Sequence, residues 1–165
     1  METTLIGALE VHTNGTLPKA GTQAPEFSLV ARDLSEFRLK DFRGKRVVLN
    51  IFPSLDTEVC AMSVRRFNEE ASRLKDTVVI CASKDLPFAQ ARFCAANDIE
   101  NVMVGSAFRS ELGQAYGIQM EDGPLKGLLA RCLVVIDRDG TVMGSSFNNV
   151  LTEEPDYSFV EKLLK

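Results

Sequence analysis

The run Val47-Val48-Leu49-Asn50-Ile51-Phe52 constrains this 165-residue chain more than any other segment. It is apolar and built of β-formers, so it reads as a strand buried on both faces, and such a strand needs covering layers above and below. A second run of this kind, Thr77 to Ala82, follows at the distance of one helix. Between the two, Val64, Phe67, Ala71 and Leu74 recur at helical spacing, with Arg65, Arg66, Glu69 and Glu70 elsewhere on the surface. That pattern predicts a helix from about Glu58 to Lys75. Strand, helix and strand in this order point to α/β architecture.

The remaining segments extend that order. Alternation from Thr4 to Val11 and the turn formers His12-Thr13-Asn14-Gly15 predict an N-terminal β-hairpin, with His12 in its turn. Pro25 to Leu39 reads as short extended segments around an Arg32-Asp33-Leu34-Ser35 turn. Asp85-Leu86-Pro87 opens a second helix, with proline in its first turn, that carries Phe88, Ala91, Cys94 and Ala95 and fades near Asn97-Asp98. Asn101 to Val104 is expected as a strand, and Arg109 to Tyr116 as a short helix ended by Gly117. Leu133 to Ile136 and Thr141 to Ser145 pair around the turn Asp137-Arg138-Asp139-Gly140. Glu154-Pro155-Asp156 then starts a terminal helix with Tyr157, Val160 and Leu164 on one face. No repeat or linker interrupts the chain. It is expected to form one thioredoxin-like domain, 1–165: a central mixed β-sheet flanked by helices, with an N-terminal hairpin.

Composition narrows the function. A net charge of −4 argues against a nucleic-acid or anionic-membrane surface. No apolar run approaches the ~18–20 residues that span a bilayer. The start, Met1 to Gly7, lacks a basic segment followed by a long apolar core, so no signal peptide is expected and the cytoplasm is the expected location. Four cysteines, Cys60, Cys81, Cys94 and Cys132, are too few and too spread for a secreted disulfide framework. With no Cys-x-x-Cys and one histidine, His12, zinc ligation has little support.

Cys60 is the first chemical candidate. Asp56 or Thr57 can cap the helix that starts beside them, which puts Cys60 in its first turn. The unpaired N–H groups and the dipole there favour an anion over a thiol, at a place expected to be partly exposed. Against this stand the commoner fate of a free cysteine as a small buried hydrophobe, and Glu58, whose charge opposes a thiolate. Cys81, inside Val78 to Ala82, reads as structural. Cys132 reads as core packing, turned away from the face used by Arg131.

Pro53-Ser54-Leu55-Asp56-Thr57-Glu58-Val59-Cys60 has the form P-x-x-x-T-x-x-C and resembles the signature of the peroxiredoxins. Leu49 to Pro53, Lys84 to Cys94, Asp122 to Arg131 and Thr152 to Tyr157 resemble the thiol peroxidase branch, the atypical two-cysteine peroxiredoxins, in order over almost the whole chain. Cys132 departs from that branch, which carries a small apolar residue after the arginine. The resemblance implies an antioxidant peroxidase that needs no metal, haem or flavin. It implies hydrogen peroxide and alkyl or lipid hydroperoxides as substrates, thioredoxin as reductant, and a homodimer.

The resemblance also implies roles. Cys60 becomes the peroxidatic nucleophile and passes through a sulfenic acid, and Cys94 resolves it as an intramolecular disulfide. Thr57 aligns nucleophile and peroxide, Pro53 shields the sulfur, and Arg131 stabilises thiolate and leaving oxygen. Taken alone, these three read as an N-cap, a strand terminator and a surface charge. A disulfide needs Cα atoms within about 7 Å, so two cysteines on separate helices imply local unwinding around each. Tyr116, Phe52, Phe88 and Phe93 read as core; any that lined the pocket would favour organic hydroperoxides. A thiol–disulfide oxidoreductase on the same fold is disfavoured, since Ala61-Met62-Ser63 after Cys60 brings no second cysteine. A non-enzymatic redox sensor could share every residue named.

Overall fold

A computed structural model describes residues 1–165. The chain opens with β1 (Thr3–Ile6) and β2 (Leu9–His12), an antiparallel hairpin in which Ile6 faces Leu9. Its turn is Gly7-Ala8, not His12 to Gly15 as expected. Gly7 has φ +62, the left-handed conformation that a two-residue hairpin turn accepts from glycine at its first position. Asn14 is engaged elsewhere, exchanging backbone and side-chain hydrogen bonds with Gln119. His12 therefore ends a strand instead of making a turn, and its Nδ1 sits 2.8 Å from Asp122 Oδ2.

A seven-stranded mixed sheet follows. Its strands are β3 (Ser28–Ala31), β4 (Glu36–Arg38), β5 (Arg46–Ile51), β6 (Thr77–Ser83), β7 (Met103–Ser106), β8 (Cys132–Ile136) and β9 (Val142–Phe147). The order across the sheet is β4-β3-β7-β6-β5-β8-β9. The helices are α1 (Glu58–Ala71), α2 (Pro87–Ala96), α3 (Leu112–Ala115) and α4 (Tyr157–Leu164). The expected α/β class, mixed sheet and N-terminal hairpin are all present.

β5 lies inside the sheet, parallel to β6 and antiparallel to β8. Because strand side chains alternate, it feeds two cores. Leu49 and Ile51 join Ile80, Ala82 and Val134 on one face, under α3 and the N-terminal loops. Val48 joins Val79, Leu133 and Val135 on the other, against Val64 and Phe67 of α1, Cys94 of α2 and Val160 of α4. Cys132 of β8 packs in the first core, and Cys60 of α1 packs in the second.

Asn50 is the polar residue of the run, and it is fully buried. Its Nδ2 donates to Ser63 Oγ at 3.2 Å, and that hydroxyl donates to the Cys60 carbonyl at 2.8 Å. The strand thus grips the first turn of α1 by a polar chain inside an apolar core, where each bond is strengthened by the low dielectric.

Several boundaries and one helix face differ from expectation. α1 stops at Ala71 instead of Lys75, because Arg73 and Leu74 donate to the carbonyls of Glu70 and Ala71 and wind the end tighter. β7 begins two residues late, since Asn101 is held by Asn68 of α1. α2 buries Pro87, Gln90 and Cys94, and this face leaves Phe88 outside, 67% exposed, rather than in the core. α3 is shorter than expected, and Gly117 follows its C-cap residue, Tyr116. Gly117 has φ +70, and a Cβ there would lie 2.5 Å from the Thr16 backbone nitrogen.

Candidate active site

The segment leaving β5 turns at Pro53 and enters α1 at Glu58, so Cys60 falls in the first helical turn. Thr57 takes the N-cap position with extended backbone (φ −100, ψ 145), but its side chain makes no capping bond. Its hydroxyl donates backwards to the Ser54 carbonyl at 2.9 Å. Asp56 does not cap the helix either, so no side-chain oxygen hydrogen-bonds to the start of α1, although Glu58 places a carboxylate in its first turn.

Cys60 is fully buried, not partly exposed as its place at a helix start suggested. Arg131 lies just ahead of β8 and is only 2% exposed. Its Nε donates to the Leu151 carbonyl at 2.9 Å, its Nη2 lies 3.2 Å from Cys60 Sγ, and its Nη1 is buried with no partner. No carboxylate forms an ion pair with it. Burying a guanidinium is costly unless charge or hydrogen bonds compensate. The group facing it is the Cys60 sulfur.

Beside this pair opens a cavity of about 270 Å³. Pro53, Thr57 and Arg131 line it, and the remaining wall is mostly aliphatic: Ile6 of β1, Val59 of α1, Leu125 and Leu151. The aromatic residues considered for the pocket do not line it. Phe52 and Tyr116 are core, with the Tyr116 hydroxyl donating to the Pro25 carbonyl at 2.7 Å. Sequence reasoning missed Ile6, Leu125, Leu151 and Asn50. Leu125 had a signal, its place within Asp122 to Arg131, whereas Ile6 and Leu151 are ordinary aliphatics brought in by the hairpin, which hydrogen-bonds to the 149–151 segment.

The other three thiols differ. All four cysteines are free. Cys94 sits in the last turn of α2, in the same core as Cys60; burial pushes its thiol up, with Arg32 acting against that. Burial pushes Cys81 up to about 12, opposed by an Asn50 amide 3.6 Å away. Burial raises Cys132 as well. The structure thus brings Pro53, Thr57 and Arg131 together around one cavity, with Cys60 buried against Arg131, and places Cys94 on a neighbouring helix.

A buried cysteine facing a guanidinium beside an apolar cavity, on a thioredoxin-like sheet, is an arrangement suited to thiol chemistry. Residues 19–160 match the redoxin family model. The chain is 53% identical over 148 residues to a thiol peroxidase of Corynebacterium glutamicum, covering 90% of each chain. It is 52% identical over 147 residues to a thiol peroxidase of Mycobacterium bovis, covering 89% of this chain and 88% of that one. In structure it superposes on a peroxiredoxin-like protein from Aquifex aeolicus with TM-score 0.93 and 38% identity, covering 98% of this chain and 95% of that one. A thiol peroxidase from Chromobacterium violaceum, 21% identical, shares the fold with TM-score 0.90 over 98% of this chain and 94% of its own. The chain belongs to the redoxin family, as a peroxiredoxin of the thiol peroxidase type.

Proposed function

We propose that this peroxidase reduces hydrogen peroxide and organic hydroperoxides through Cys60, that Cys94 resolves the oxidised sulfur, and that thioredoxin restores both thiols. The observation that carries the reading is the contact of Arg131 Nη2 with Cys60 Sγ at 3.2 Å, beside a guanidinium nitrogen that has no other partner.

That contact, with the family resemblance, supports the following steps. Cys60 as a thiolate attacks the terminal peroxide oxygen; the O–O bond breaks, and the alkoxide or hydroxide leaves with a proton as alcohol or water. Arg131 serves first as counter-ion to the sulfur. Its free Nη1 then donates to the oxygen on which charge develops, where a fixed donor needs no reorganisation. Thr57 lies at the cavity wall with a hydroxyl oxygen that can accept from the peroxide O–H, and Pro53 keeps water from the sulfur. The aliphatic wall favours an alkyl or lipid chain over a bare peroxide. The Cys94 thiol then attacks the sulfenic sulfur of Cys60, forming the disulfide and releasing water.

Resemblance to the thiol peroxidases supports a single-domain enzyme that works in the cytoplasm as a homodimer and takes part in antioxidant defence. No helix is long and apolar enough to cross a membrane.

Peptide mapping under non-reducing conditions after one equivalent of hydrogen peroxide, with free thiols blocked, tests the cycle. A Cys60–Cys94 link that thioredoxin removes is expected. An oxidised Cys60 with Cys94 still free would move the resolving thiol to another molecule, and four unmodified thiols would overturn the peroxidase reading.

A further inference from the structure

The polar bonds around the two cysteine helices are distributed unevenly. At their far ends, Asn68 of α1 binds the segment after α2 through several groups: its Oδ1 accepts from the amides of Glu100 and Asn101 at 3.1 and 2.7 Å, and its carbonyl accepts from Asn101 Nδ2. At the near ends, one carboxylate does the joining. Asp85 stands two residues before Pro87, the first residue of α2. Its Oδ1 accepts from Ser54 Oγ at 2.7 Å, and its Oδ2 accepts from the Leu55 amide at 2.8 Å and from Ser83 Oγ at 2.6 Å.

Each of those partners leads somewhere. Ser54 holds the entry to the Cys60 helix, since its hydroxyl accepts from the Asp56 amide and its carbonyl accepts from the Thr57 hydroxyl. Ser83 Oγ accepts from Gln90 Nε2 at 3.2 Å, and the same nitrogen donates to the Gly105 carbonyl. Gln90 is fully buried and lies one turn ahead of Cys94 on α2. A continuous polar path therefore runs from the Pro53-to-Thr57 loop through Asp85 to the helix that carries Cys94. A turn residue would satisfy only its own neighbours, whereas Asp85 reaches Ser54 and Leu55 some thirty positions away in sequence.

We propose that Asp85 is a positioning residue: it clasps the Cys60 loop to the base of the Cys94 helix, and release of this clasp sets how oxidised Cys60 divides between two fates. The proposal rests on the two-cysteine reading above. In one fate, the Cys94 thiol and the Cys60 sulfenic acid give a disulfide and water. In the other, a second hydroperoxide oxidises the sulfenic acid to sulfinic acid and leaves as the alcohol. The first fate needs the entry turn of α1 to leave its place, and residues 54 and 55 must move with it. The second needs the turn to stay beside Arg131 and the cavity. Three hydrogen bonds to one carboxylate, each roughly twice as strong as a neutral bond, favour staying.

The test is Asp85→Asn, which keeps the shape but leaves one acceptor oxygen for three donors. Wild type and variant are exposed to graded hydroperoxide with thioredoxin-type reductant present, and Cys60 is scored by mass as disulfide or sulfinic acid. The sulfinic-to-disulfide ratio is expected to fall by about tenfold or more, with first oxidation of Cys60 slowed as well, since the charged bonds lost together correspond to at least roughly that change in the population of the closed loop. Ser54→Ala removes the Oδ1 bond alone and should shift the ratio in the same direction by less. A loss of global stability would not produce this redistribution, and a neutral-pH melting curve checks that both variants are folded. If the wild type forms no Cys60–Cys94 link, the two-cysteine reading fails and takes this proposal with it. If the link forms and both variants divide Cys60 as the wild type does, the clasp alone is overturned.

Discussion

Cys60 and Cys81 are equally buried, both at 0% exposure and both in the same core, yet their surroundings have little in common. Cys81 lies in the middle of β6, between paired strands on either side, and its one polar neighbour is a neutral amide 3.6 Å away. That amide offsets the cost of a charge only in part, and burial pushes the thiol up to about 12. Cys60 lies where a strand becomes a helix, with a guanidinium nitrogen 3.2 Å from its sulfur and a cavity of about 270 Å³ beside it. On the reading proposed for Cys60, exposure does not mark the reactive thiol; a facing cation and a neighbouring cavity do so instead.

The sharpest way to break the comparison is to remove each of the two thiols by mutation. Cys60→Ser is expected to reduce peroxide turnover by roughly 1,000-fold or more, as loss of a nucleophile does. Cys81→Ala is expected to leave turnover within about threefold, because attack on a peroxide needs an accessible thiolate, which a mid-sheet thiol does not supply. Turnover is read by coupled reductant consumption, and equal losses in the two variants would remove the distinction.

Arg131 carries the next largest effect. Arg131→Met should lower kcat/KM by about 100-fold, the range seen when one donor to a developing oxyanion is lost. Arg131→Lys should recover only part of this, since an ammonium keeps the charge but cannot bind the Leu151 carbonyl, the sulfur and a substrate oxygen at once. Full activity in the lysine variant would reduce the role of Arg131 to charge alone.

Much of this was legible in the sequence. The β5 and β6 runs, the helix start at Glu58 and the proline at the start of α2 follow from local chemistry, and so does the position of Cys60. Other features depend on partners far away in the chain. The turn formers His12 to Gly15 pointed to the wrong end of the hairpin: Asn14 pairs with Gln119, more than a hundred positions away, and the turn falls at Gly7-Ala8. Phe88 looked like core by type, but α2 presents Pro87, Gln90 and Cys94 inward, so a buried glutamine takes the apolar position. Asp85 read only as a helix-start residue, because its meaning lies in Ser54 and Leu55. Much of the cavity wall was hidden for the same reason: Ile6 and Leu151 carry no individual signal.

Movement of the Cys60 region is open to a smaller but direct check. Amide hydrogen exchange over 54–61 and 92–97 should be at least about tenfold faster in the oxidised protein than in the reduced one, because both helical turns must open to form the disulfide. The Cys81 amide, in a strand paired on both sides, should exchange alike in the two states. Indistinguishable exchange of the two cysteine segments would sink the unwinding step.

The mid-sheet thiol also leaves a mark on stability, the smallest of these effects. Cys81 shifts from 9.0 to about 12 on folding, mainly through burial. Its contribution is fully present below pH 9, where both folded and unfolded chains carry the thiol. Above pH 9 the unfolded chain releases the proton while the folded chain keeps it, so stability falls as pH rises, until the folded thiol itself ionises near 12. The slope is about 1.4 kcal/mol per pH unit for one such group, which gives a loss of about 1.4 kcal/mol by pH 10. Burial of Cys132 acts in the same direction and should add to the alkaline loss. Cys81→Ala is less stable than wild type at neutral pH, since it removes buried volume. Its deficit should shrink by about 1.4 kcal/mol between pH 7.5 and pH 10, because the variant has no thiol there to ionise. Urea midpoints at the two pH values measure this. A constant deficit would mean that Cys81 does not stay protonated in the folded sheet, and the contrast with Cys60 would then rest on Arg131 and the cavity alone.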